Sequence, residues 1–245
     1  MNKLLNTLFA VSVACATPLV LAQASAPAAP AAPAPAAAKP AAAPAGAKSV
    51  EAKVAMCIGC HGIKGYQASF PEIHKVPMIS GQSAKYIAAA LNAYKTGDRK
   101  HPTMRGIADS LSDQDIADIS AYYEAHGKEG GKPALAEQPS RQPSPQVAAL
   151  LQKAACASCH GANFSKPIAP NYPKIAGQHK DYLFVALKAY KQENNQAVGR
   201  NNGIMAGIAK QFSTADLKAM ADYIGSLDGD LKTVPESRFH GGSHK

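Results

Sequence analysis

Apolar positions recur at helical spacing through most of residues 49–227, and no segment alternates convincingly as a strand. In "SGQSAKYIAAALNAYK" (80–95), Tyr86, Ile87, Ala90, Leu91 and Tyr94 fall on one helical face. Tyr182, Leu183, Ala186, Leu187 and Tyr190 repeat that face in "AGQHKDYLFVALKAYK" (176–191). A further stripe, Ile116, Ile119 and Tyr123, has its counterpart in Leu217, Met220 and Ile224. Ser112 with Asp115, and Ser213 with Asp216, are capping-box signals for the helices that carry these stripes. Ser49 and Ser144 mark the start of an earlier helix in each half, and Pro145 suits its first position. The pattern predicts an all-α fold.

The two halves are copies of one unit. From Gly81 and Gly177 onward, eight of fifteen positions are identical. We place the units at 49–127 and 144–227. Residues 128–143 form a linker rich in Gly, Pro and polar residues, and 228–245 a polar tail.

The N-terminal segment reads differently. Lys3 precedes a largely apolar stretch from Leu4 to Leu21, and Ala22-Gln23-Ala24 has the small-x-small form of a cleavage site. Residues 1–24 read as an export signal, with Thr7, Ser12, Thr17 and Pro18 interrupting any membrane span. Retention of the segment as an anchor is the alternative. Residues 25–48 form an Ala/Pro-rich linker; within 26–47 there are 14 Ala and 6 Pro. So much proline breaks a helix, and alanine alone builds no core, which leaves a semi-extended tether.

Composition adds one constraint. Aromatic residues make up 6% of the chain and tryptophan is absent, which is thin for two small cores. Units of about 80 residues usually need a staple. Of five cysteines, Cys15 lies in the export segment, and the other four sit in two copies of one motif.

That motif is Cys-x-x-Cys-His: Cys57, Cys60 and His61, then Cys156, Cys159 and His160. Three chemistries compete for it. A closed zinc site needs a fourth ligand and is not usually built on this spacing. A dithiol redox pair belongs near a βαβ pattern, which is missing. Covalent attachment of haem c fits best. Two thiols three residues apart on a helical turn can form thioethers with both vinyl groups of one porphyrin, and the adjacent His can bind iron. The prediction is two covalently bound haem c groups.

The repeat also selects a sixth iron ligand. Met104 and Met205 each lie five residues after an arginine (Arg99, Arg200) and precede Gly-Ile-Ala at the same offset. Met78 and Met220 align with Lys174 and Ile119, and fail this test. Both chosen methionines stand in polar, loop-like stretches before the last helix. His101 aligns with Asn202 and His74 with no clear partner, so both read as surface histidines. His61, Met104, His160 and Met205 are thus the expected metal ligands.

In these residues the chain resembles the dihaem class I cytochromes c of the cytochrome c4 family. Beside the haem motifs, two Pro-x-Ile-x-Gly-Gln stretches (77–82 and 173–178) and two Arg-x-x-x-x-Met stretches (99–104 and 200–205) carry the likeness. It implies two tandem cytochrome c domains in pseudo-twofold arrangement. It also implies that the carbonyls of Pro77 and Pro173 hold the axial histidines. The implied role is a periplasmic electron carrier between respiratory complexes, such as a quinol-oxidising complex and a terminal oxidase, and not an enzyme. A dihaem oxidoreductase, or the electron-accepting subunit of a dehydrogenase, is the alternative. The implied partners are redox proteins; neither nucleic acid nor a small-molecule substrate is expected. The tether leaves membrane association open.

Charge suggests where partners dock. Residues 49–131 hold nine basic and nine acidic side chains, whereas 132–245 hold fourteen and eight. Lys166, Lys174, Lys180 and Lys210 are the candidates for a basic docking end.

Overall fold

The computed structural model describes residues 48–126, 128 and 134–235. The expected export segment and tether lie outside them, as does most of the polar tail. In the first half, helices α1 (Val50–His61), α2 (Ala84–Thr96), α3 (Pro102–Asp109) and α4 (Asp113–Ala125) follow one another. The second half has α5 (Pro145–Lys153), α6 (Ala157–His160), α7 (Lys180–Ala189), α8 (Gly203–Ala209) and α9 (Thr214–Ser226).

The predicted starts are where the caps are. The Ser49 hydroxyl accepts from Ala52 N–H, and Ser144 from Val147 N–H with Pro145 at the first helical turn. Ser112 with Asp115 and Ser213 with Asp216 form complete capping boxes. Each satisfies amide groups that a helix N-terminus otherwise leaves unpaired.

The stripes then meet. α2 packs on α4, and α1 closes over α4, around Val54, Ile58, Ile87, Leu91, Leu111, Ile116, Ile119 and Tyr123. In the second half, α7 and α5 pack on α9. Its core includes Leu183, Phe164, Phe212, Leu217, Met220 and Ile224. The lysine that ends each "AYK" repeat has a structural use. Lys95 Nζ donates to Leu111 O at 2.7 Å, and Lys191 Nζ to Phe212 O at 2.6 Å. Each ties α2, or the turn that follows α7, to the turn before the last helix.

Two expectations need correction. Met104 and Met205 stand within short helices, α3 and α8, not in loops. Eight and seven residues are too few for apolar periodicity to stand out in sequence. His74 is buried, and His101 is half-buried. His74 Nδ1 lies 2.8 Å from Glu72 O, and its ring lies 6.3 Å from that of Tyr182. His101 caps α3, as its repeat partner Asn202 caps α8. The expected all-α class holds: the fold is mostly helical, and its few strands are two residues long, too short for alternation to register: β1 (Gln67–Ala68), β2 (His74–Lys75), β3 (Arg99–Lys100) and β4 (Gly199–Arg200). β1 pairs with β2, and β3 with β4, both antiparallel. The second pair joins the two halves.

The Gly-Gln stretches show why glycine is needed there. Gly81 and Gly177 have φ of +88° and +69°. A Cβ on them would stand 2.8 Å from Asp230 O and 2.9 Å from Leu227 O. Their amides donate to Tyr123 O and Ile224 O, so each loop is pinned against its last helix.

Leu217 is wholly buried at the centre of the second core. Leu217→Ala should therefore cost about 2–5 kcal/mol in chemical denaturation of the holoprotein. The acid limb tests the cap. The Asp216 carboxyl is held below its ordinary value, chiefly by the Ser213 hydroxyl. A depressed folded-state pKa contributes stability that is full above the unfolded value of about 3.9 and is lost as pH falls below it. Ser213→Ala should shrink that acid-dependent loss; an unchanged slope would assign it elsewhere.

Candidate functional site

Each half presents the same donor set. Cys57 and Cys60 stand one turn apart near the end of α1, which runs unbroken to His61. In the second half the chain breaks at Ala155 (φ +49°), and α6 carries Cys159 and His160, with Cys156 at its cap. All four thiols are free and half-buried. Burial pushes Cys57 and Cys156 up to about 11. A dithiol redox site needs the opposite, a depressed thiol. Among the described residues, no group of three or more His, Cys, Asp and Glu is placed to hold a metal ion. The zinc and dithiol readings therefore gain nothing from the geometry.

The imidazoles are oriented. His61 Nδ1 lies 2.8 Å from Pro77 O, and His160 Nδ1 lies 2.9 Å from Pro173 O. A carbonyl can only accept, so Nδ1 carries the proton in both rings. Burial also pushes both imidazoles down, toward the neutral form. A neutral ring protonated at Nδ1 has its lone pair on Nε2, the form in which histidine binds a metal.

The methionines are held by their own short helices. Met104 N–H donates to His101 Nδ1 at 3.4 Å, and Met205 N–H donates to Asn202 Oδ1 at 3.0 Å. Both side chains are half-buried, and Met104 packs against the same core as Cys57.

Sequence reasoning used Arg99 and Arg200 only as markers of the repeat. Structurally they face each other as register partners in β3 and β4. Arg99 lies 4.8 Å from the Tyr94 ring centroid, and Arg200 lies 5.5 and 5.4 Å from those of Tyr182 and Tyr190. Tyr182 Oη accepts from Arg99 at 3.2 Å and from Arg200 at 3.0 Å. Burial pushes the Tyr182 phenol up, but the two guanidiniums outweigh it and hold it below the ordinary tyrosine value. Neither arginine is in an ion pair among the described residues, and Arg99 Nε is buried with no hydrogen-bond partner. Two enclosed guanidiniums without a carboxylate suit a group that brings its own anions, as haem does with its propionates. With two thiols, an oriented imidazole and a thioether in each half, the residues fit haem c twice.

The lysines proposed as a docking end are largely neutralised. Lys166 pairs with Glu137, Lys210 with Glu193, and Lys174 with Asp230 at 3.1 Å. Sequence could not show this, because each acidic partner lies 17 to 56 residues away.

Comparison with known proteins agrees with this geometry. The family model described as Cytochrome c matches residues 43–126 and 145–228. Cytochrome c4 of Stutzerimonas stutzeri is 31% identical over 200 residues, covering 74% of this chain and 89% of that protein. A thiosulfate dehydrogenase electron acceptor from the same species, strain A1501, is 27% identical, covering 70% of this chain and 78% of that one. The solved cytochrome c4 of Acidithiobacillus ferrooxidans superposes with a TM-score of 0.51 at 28% identity, over 72% of this chain and 99% of that one. With two matched domains, two duplicated donor sets and this relative over most of its length, the chain belongs to the cytochrome c family as a cytochrome c4, an electron carrier with two covalently bound haem c groups.

Proposed function

We propose that Cys57 and Cys60 bind one haem through thioethers, and Cys156 and Cys159 the other. His61 with Met104, and His160 with Met205, would hold the two irons. The observation that carries this reading is the pair of His–Pro hydrogen bonds, which leaves Nε2 of each ring as the donor. The haem iron, when bound, supplies a reversible one-electron couple. The protein's residues set its character. The Pro77 and Pro173 carbonyls fix the imidazoles and raise their basicity. The soft methionine sulfurs favour ferrous iron and raise the reduction potential. With a histidine and a methionine both holding the iron, no position would be left open for oxygen or peroxide, which suits a carrier better than an oxidase or peroxidase.

In this reading, residues 1–24 direct export and are removed, 25–48 form a tether ahead of the first domain, 49–127, and 128–143 link it to the second, 144–227. Among the described residues, no helix is long and apolar enough to cross a membrane. The protein works in the periplasm, taking electrons from a quinol-oxidising complex and passing them to a terminal oxidase. One observation favours a second reading, acceptor for a periplasmic dehydrogenase: the similarity to a thiosulfate dehydrogenase electron acceptor.

Ligand assignment is open to direct test. Intact mass should show two haem additions that survive acid extraction, and Cys57→Ala with Cys60→Ala should leave one. The ferric protein should be low-spin at both haems with a thioether-to-iron charge-transfer band. Met104→Ala and Met205→Ala should each abolish about half of that band and open one haem to carbon monoxide. Ready carbon monoxide binding by the unmutated reduced protein would overturn six-coordination.

Partner choice is decided by rates. Stopped-flow mixing of the reduced protein with a purified terminal oxidase should give fast oxidation that slows as salt rises. Faster turnover as acceptor of a thiosulfate dehydrogenase, with slow oxidase traces, would favour the dehydrogenase reading.

A further inference from the structure

Two buried glutamines cross between the halves. Gln82 and Gln178 close the Pro-x-Ile-x-Gly-Gln stretches and are each 4% exposed. Gln178 Oε1 accepts from Met78 N–H at 3.0 Å, and its Nε2 donates to Met78 O at 2.8 Å. Gln82 does the same in the opposite direction. Its Oε1 accepts from Lys174 N–H at 3.0 Å, and its Nε2 donates to Lys174 O at 2.9 Å. Each Oε1 also accepts from the next backbone amide, Ser83 or His179. Each side-chain amide is therefore oriented unambiguously, with its oxygen accepting twice and its nitrogen donating to the opposite half.

The position of these contacts matters more than their number. The N–H of Met78 and the C=O of Pro77 belong to one peptide group, and that C=O is the acceptor for His61 Nδ1–H. The N–H of Lys174 and the C=O of Pro173 likewise form one group, and that C=O is the acceptor for His160. A peptide whose N–H donates becomes a better acceptor at its oxygen, because hydrogen bonds in a chain polarise one another. A stronger acceptor at Nδ1–H makes the imidazole a stronger donor to a metal.

We propose that Gln82 and Gln178 are crossed positioning residues. Each tunes the axial histidine, and hence the haem, of the opposite domain through the peptide that follows the proline. The inference rests on His61 and His160 as ligands. Neither amide touches a ligand, and each works only while the two domains are docked, so separation of the halves would shift both potentials together.

The test uses the holoprotein and near-isosteric replacements. Potentiometric titration of Gln178→Met should raise the reduction potential of the haem bound at His61, by about threefold to tenfold in its equilibrium constant, or up to about 59 mV. The haem at His160 should change much less. Gln82→Met should give the reverse pattern. Gln178→Glu keeps an oxygen acceptor for Met78 N–H and should not raise the potential. The two haems are told apart by paramagnetically shifted resonances of the Met104 and Met205 methyl groups and of the two histidine Nδ1–H groups. Loss of interface stability alone would move both haems alike, and that result, a shift in the variant's own domain, or no shift would overturn the proposal. Absence of those resonances in the unmutated protein would instead overturn the axial-ligand reading, and this one with it.

Discussion

The hydrogen bond from an imidazole to a proline carbonyl organises each half. It determines the tautomer, the ring orientation and the basicity of the histidine at once. Most of the surrounding structure serves it. The cysteine motif must end in a helix that aims His61 or His160 at the carbonyl. The carbonyl must stand on a loop that does not drift. Gly81 and Gly177, in a backbone conformation that disfavours other residues, bring that loop against the last helix. The capped helices α4 and α9 give it something rigid to rest on.

The domain boundary is built from the same loops. Its polar contacts are short-sequence features used reciprocally: each glutamine reaches the other half's proline loop, and each arginine meets its repeat partner across β3 and β4. Lys75 adds a pairing with Asp181 at 3.5 Å, and Lys188 one with Glu72. Buried amides and half-buried guanidiniums are costly without partners, so this boundary tolerates little misalignment. The cost is matched by hydrogen bonds at the glutamines. At the arginines it is only partly matched by tyrosine faces and hydroxyls, which is consistent with anions arriving with the cofactor.

The repeat is imperfect in instructive places. α1 is continuous through its cysteines, whereas α5 and α6 are separated at Ala155. His101 and Asn202 differ chemically yet do one job, accepting a hydrogen bond from the methionine amide. In His101 it is the Nδ1 nitrogen that is engaged at the helix start.

The sequence by itself determined the local chemistry. Serine caps, apolar stripes at helical spacing and Cys-x-x-Cys-His are all properties of residues within a turn or two of each other, and local sterics and hydrogen bonding decide them. The duplication then singled out Met104 and Met205 as the proposed thioether ligands, because coincidence rarely repeats at equal offsets. Only the tertiary structure decided what lies between distant residues. That His74 is buried, that Lys166, Lys174 and Lys210 are paired, and that two arginines meet among tyrosines depend on which surfaces dock. Docking is set by shape and by the pairing of buried polar groups, neither of which leaves a periodic trace. Gln82 and Gln178 show the division most clearly. Their place in the repeat was legible, but their targets, 92 and 100 residues away, exist only once the two halves are packed together.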